Sequence, residues 1–181
     1  MDRPLVPLYT AYLYFKIFQL SEEGKRVLVL LQPSHLLEFL DLYQQCVSLS
    51  PGTETGVNGH ERAIILTSDE SIPFSLDKAR KSHPNWHHLE KLYEKRAAAQ
   101  PLTSQRSEIE SINQEIDKLY TQMDDDIFDK AQILVNFNSS LLQPKHLQRF
   151  KPDMQIIDDV SIVNKSHYFA VISQVPSHIF I

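Results

Sequence analysis

This chain of 181 residues is poor in cysteine, glycine and long apolar runs. A lone cysteine, Cys46, cannot close an internal disulfide, so the chain reads as one for a reducing, intracellular compartment, cytoplasm or nucleus. Three of the four glycines fall in the single stretch PGTETGVNG. That scarcity bears on nucleotide binding, because phosphate-cradling loops need glycine. No apolar run reaches the roughly 18 residues that span a bilayer, which argues against a membrane helix. The first residues, MDRPLVPLYTAYLYFKIF, carry Asp2 and Arg3 but no clean apolar core or small-residue cleavage site, so a signal peptide is not expected. A net charge of −5 argues against nucleic-acid or membrane binding driven by bulk charge, while leaving room for a local basic groove.

What is present is ordinary for a globular domain: 42% hydrophobic and 23% charged residues, in a chain long enough to bury one real core. The stretch YTAYLYFKIFQLSEEGKR predicts a helix with Ala11, Phe15, Phe18 and Leu20 on one side and Gly24 as C-cap. RVLVLLQ, which follows at once, fits a fully buried, parallel-type strand. PSHLLEFLDLYQQC predicts a helix capped by Ser34, with Leu36, Leu37, Leu40 and Tyr43 facing inward. SLSPGTETGVNGHE is a loop by composition, and RAIILT a second apolar strand. Helix, strand, helix, loop, strand is α/β grammar.

From Trp86 to Met123 the chain is charged, glycine-free and helical in pattern, broken only around AAAQPLTSQ. Ile109, Ile112, Ile116, Leu119 and Met123 recur at spacings of three and four, with Thr103 or Ser104 to cap the start. Trp86, Leu89 and Tyr93 (or Leu92) supply a matching seam before Pro101, so an antiparallel helical hairpin is expected. A dimeric coiled coil is the other arrangement such seams allow. Beyond DDDIFDK the α/β pattern resumes: AQILVNF a strand, SSLLQPKHLQRF a loop and short helix, MQIID a strand, NKSHYFAVISQV an amphipathic helix, SHIFI a last strand. A chain that stops on a core strand reads as cut short.

Several clusters have a bland reading beside a functional one. In KPDMQIIDDVSIV an apolar strand runs into two carboxylates, Asp158 and Asp159. Acids at the C-terminal end of a buried strand often hold a metal or a nucleotide; hairpin or helix-cap acids look the same. HPNWHH brings His83, His87 and His88 together, but no further ligands lie at zinc spacing, so a helix start or solvated loop is the better reading. Asp124 to Asp126 lack the alternation of a calcium loop and read as a solvated helix end. Lys78, Arg80 and Lys81, and then Lys145, Arg149 and Lys151, form two basic clusters that fit phosphate contacts or a solvated surface.

Taken in order, these segments resemble the first motor domain of superfamily 1 RNA/DNA helicases, of the senataxin, nonsense-mediated-decay and NFX1-type zinc-finger kind. IIDDVSIV looks like the Walker B strand, with Asp158 at the Mg²⁺-associated aspartate and Asp159 where a glutamate activates water. RVLVLLQPSHLLEFL is similar to the strand and helix whose signature touches the nucleic-acid strand, which falls here on Ser34 and His35, the register around Pro33 being open. AQILVNFNSSLL is similar to the strand leading to a nucleic-acid loop, which falls on Asn136 and Ser139, with Asn136 and Phe137 where threonines stand in the family. The hairpin occupies the place of the stalk. HYFAVISQVPSHIFI is similar to the following helix and strand, up to the point where Gly-Asp is due.

The resemblance implies a RecA-like, P-loop-type parallel sheet flanked by helices, with residues 1–83 and 127–181 as its two halves and 84–126 as the inserted hairpin. It implies Mg²⁺ and ATP as cofactors, RNA or DNA as partner, and ATP-dependent nucleic-acid remodelling as the ancestral activity. The departures imply that this chain does not hydrolyse ATP. The Walker A loop G-x-x-x-x-G-K-S/T is absent, leaving Thr10 as its only trace. Asp159 is one methylene short of glutamate, and a misplacement of about 1 Å can cost a hundredfold. The alternative expectation is a non-enzymatic hairpin module that binds a protein partner through the seam at Ile109 to Met123. A parallel sheet with 154–157 between 27–31 and 179–181 goes with the first reading, an antiparallel or all-helical structure with the second.

Overall fold

The computed structural model describes residues 15–17, 19–21, 23–49, 62–99, 106–137, 143–158 and 178–180. Five strands, β1 (Val27–Leu31), β2 (Ala63–Ile65), β3 (Ile133–Phe137), β4 (Met154–Ile157) and β5 (His178–Phe180), form one sheet in the order β2-β3-β1-β4-β5. Every pairing is parallel. Besides helical residues at 15–17 and 19–21, the helices are α1 (Leu36–Leu49), α2 (Leu76–Lys81), α3 (Trp86–Ala99), α4 (Arg106–Lys130) and α5 (Pro144–Phe150). The fold is α/β, and β4 lies between β1 and β5.

Burial on both faces explains why the strand sequences are continuous apolar runs rather than alternations. On one face Val27, Val29, Leu31, Ile133, Val135 and Ile156 pack under Phe39, Leu40 and Tyr43 of α1 and under Ile17 and Leu20. On the other, Leu28, Leu30, Ile64, Leu134 and Ile157 pack under Leu76, Ile127, Phe128, Leu147 and Phe150 of α2, α4 and α5.

Two inward faces differ from expectation. Residues 15–17 and 19–21 are helical and Gly24 ends that helix at φ 76°, its N–H donating to Ser21 and that of Lys25 to Leu20. This double bond to the last turn needs a left-handed residue, which glycine supplies without a Cβ clash. Yet Ile17 is buried, whereas Phe15 is 58% exposed; Ala11 and Phe18 lie outside the described residues. In α1, Phe39 joins Leu36, Leu40 and Tyr43 in the core, and Leu37 points to solvent. Adjacent leucines are 100° apart on a helix, so only one can share the stripe. Ser34 is not an N-cap either. Pro33–His35 form a single 3₁₀ turn ahead of α1, and Ser34 Oγ donates to Gln32 Oε1 at 3.2 Å.

α3 and α4 run antiparallel, as contacts from Arg96 to Asn113, Tyr93 to Tyr120 and His83 to Asp126 indicate. Leu89 and Leu92 bury Ile112, Ile116, Leu119 and Met123 between the helices, which spends the apolar seam inside the hairpin; Ile109 is only partly buried. The turn around Pro101 lies outside the described residues. α4 then runs unbroken past Asp126 and places Ile127 and Phe128 in the sheet's core, so one helix belongs to both packing units. The acidic run is therefore no solvated helix end. Asp124 is 3% exposed.

His146 of α5 packs on Phe128 at 5.8 Å, with its Nδ1 buried and without a partner among the described residues. Burial, helped by the charge of Lys145, pulls its pKa down to about 4. The unfolded chain thus binds a proton that the folded protein refuses. The stability tied to neutral His146 is fully present above pH 6.5 and is lost as the pH falls towards about 4. Replacing His146→Phe should flatten that acid limb in urea unfolding series; an unchanged slope would place the titration elsewhere.

Candidate functional site

In open parallel sheets, ligands gather at the carboxyl ends of the strands, where the chain's course reverses. Here that point lies between β1 and β4. From β1 the chain moves outward to β2 and β3 on one side, then crosses to β4 and β5 on the other.

Both strands run directly into polar residues at this crevice, Gln32 after β1 and Asp158 after β4. β1 is stopped by Pro33, whose fixed φ and missing N–H turn the chain into the 3₁₀ turn. His35 N donates to Gln32 O at 3.0 Å, which brings the imidazole back over the strand end. β4 extends one ladder bond further, Asp158 N donating to Leu30 O at 2.9 Å. The two side chains meet: His35 Nδ1 is 2.7 Å from Asp158 Oδ2, across 123 residues of sequence. Gln32 N donates to the same oxygen at 3.3 Å. The carboxylate is 15% exposed and the imidazole 40%, so the acid forms the floor and the ring faces the opening.

A carboxylate that accepts from Nδ1 fixes the ring's orientation and, in the neutral ring, leaves Nε2 as an acceptor. Protonated, the same ring presents an N–H donor. The pair can thus hold or give a proton, or bind a phosphate or a base edge.

Of the residues singled out from sequence, His35 and Asp158 come together. Ser34 is exposed beside them. Asn136, the last residue but one of β3, is buried in register with Leu30, its Nδ2 donating to Phe137 O at 3.2 Å, so it serves the sheet rather than the surface. Asp159 and Ser139 lie outside the described residues, as do Thr10 and the helix expected at NKSHYFAVISQV.

The carboxylate that the resemblance assigns to Mg²⁺ has protein partners in this structure. Asp158 Oδ2 is already engaged by His35 and Gln32. The sequence has no glycine loop with lysine to hold phosphates. Among the described residues no group of three or more His, Cys, Asp and Glu could hold a metal ion. His83, His87 and His88 instead face Asp126, Glu90 and Glu115 separately, at 3.2, 3.7 and 3.5 Å.

The basic clusters also resolve differently from expectation. Arg80 and Arg149 both turn inward to Asp124. Arg80 donates Nε and Nη2 to its two oxygens at 2.7 and 2.9 Å, and Arg149 Nη1 donates at 3.0 Å. Arg80 also holds Asp77 at 2.8 Å, and Arg149 holds Asp125 at 2.9 Å. This cluster joins α2, α4 and α5 and anchors the hairpin. Sequence reasoning missed it because Asp124 stands among like acids; its place beside Met123, the last residue of the seam, was the one available signal.

No helix among the described residues is long and apolar enough to cross a membrane. Neither the models of known protein families nor the curated proteins contain a match to the chain.

Proposed function

We propose that the chain is a degenerate motor-type domain of superfamily 1 RNA/DNA helicase ancestry that engages a nucleic-acid strand at the β1–β4 crevice and does not turn over ATP. The observation that carries this reading is the His35–Asp158 contact. It links the segment resembling the family's strand-touching motif to the one resembling Walker B. The neighbours of β4 support it as well, since this parallel strand, which delivers Asp158, is flanked by β1 and β5. In this reading the aspartate has exchanged a metal for an imidazole. A ring oriented by a half-buried carboxylate contacts phosphate or base edges, and the helical hairpin stands where the family carries its stalk.

Calorimetric titration of ATP with Mg²⁺ should give no binding heat and no turnover. Single-stranded RNA and DNA should raise fluorescence anisotropy in a salt-dependent way. His35→Ala should weaken that binding several-fold. Tight nucleotide binding that Asp158→Ala abolishes would sink the reading, as would strand affinity indifferent to His35→Ala.

A further inference from the structure

Away from the crevice, a cavity of about 650 Å³ opens where the hairpin joins the sheet. Its apolar wall is Ile64 of edge strand β2, Phe74, Ala79 of α2 and Ile127 of α4. Lys78 and Lys130 also line it, and neither ammonium has an ion pair or hydrogen bond among the described residues. Of its other polar residues, Gln44 is exposed, Ser82 Oγ donates to Lys78 O at 3.1 Å, and His83 sits against Asp126 while its Nδ1 accepts from Asn85 N.

Phe74 is held here at φ 64°, a conformation bulky residues avoid. Its carbonyl accepts from Ile65 N at 2.9 Å, and its ring meets Tyr43 edge-on at 5.6 Å. The backbone is therefore fixed in a disfavoured state at the cavity wall, the kind of outlier that gathers at ligand sites.

Two unpaired cations beside an apolar hollow, in a chain of net charge −5, set the ligand's chemistry. The hollow is within the size range of small-molecule pockets. We infer that this cavity binds a small aromatic anion, a flat apolar body carrying a carboxylate, sulfonate or phosphate that Lys78 and Lys130 neutralise.

The probe that tests this is 8-anilinonaphthalene-1-sulfonate on the full chain, read by emission sensitised from the single tryptophan, Trp86, three residues beyond His83. Saturable binding is expected. Its uncharged analogue, N-phenyl-1-naphthylamine, should bind at least tenfold more weakly. Lys78→Gln with Lys130→Gln should weaken the sulfonate tenfold or more and leave the neutral analogue unchanged. Both lysines are exposed, so the double variant should fold, which far-UV circular dichroism checks. Equal affinity for the two probes would overturn the inference in favour of a merely apolar surface. So would sulfonate binding untouched in the double variant, or no saturable binding at all.

Discussion

Asp124→Ala should be among the most damaging single substitutions in this protein, lowering the stability measured by urea unfolding by about 3–5 kcal/mol. The carboxylate is almost fully buried and neutralises two guanidinium groups at once. Removing it leaves Arg80, itself only 18% exposed, and Arg149 facing each other with no anion between them. Breaking a buried pair by deleting one partner is far more harmful than never having built it, because the remaining charge has lost its water. The double variant Arg80→Met with Asp124→Leu should therefore recover much of the loss. A melt for Asp124→Ala close to that of wild type would mean that water reaches the cluster.

Gln155→Met should act in the opposite sense, adding about 1–3 kcal/mol. Gln155 is fully buried in β4, next to Leu28 of β1, and among the described residues neither its Oε1 nor its Nε2 has a hydrogen-bond partner. An amide stripped of water and unpaired pays desolvation with nothing in return, whereas methionine has a similar reach and no such demand. A higher urea midpoint with an unchanged slope would verify it. A loss of stability would show that the amide is satisfied after all.

The sheet was legible because its strands are buried on both faces. VLVLL, ILVNF and MQII are runs no solvated strand would carry, and all three are strands. The hairpin was legible through its repeat of three and four. Helix phase was not. Leu36 and Leu37 are equally apolar, and only the docking of α1 onto Val29 and Leu31 decides which of them is covered. The candidate site was half legible. His35 and Asp158 each stood out, but for unrelated tasks, and their contact depends on β1 and β4 being neighbours in space. The inward turn of Arg80 and Arg149 was hidden for the same reason, since a basic cluster reads alike whether it faces solvent or a buried acid.

The sheet's order also sets a timetable for synthesis. β1 is the first of the described strands to leave the ribosome, yet its two neighbours, β3 and β4, begin at Ile133 and Met154. At translation speeds of 5–20 residues per second, the roughly hundred residues separating Leu31 from Ile133 take about 5–20 s. Through that interval VLVLL has neither flank paired, and such an open apolar strand invites pairing with another nascent chain. The hairpin, whose contacts are local, can form within the wait and shorten the loop that must close. Yield in a cell would then depend less on the finished protein's stability than on what shelters β1 until its partners arrive.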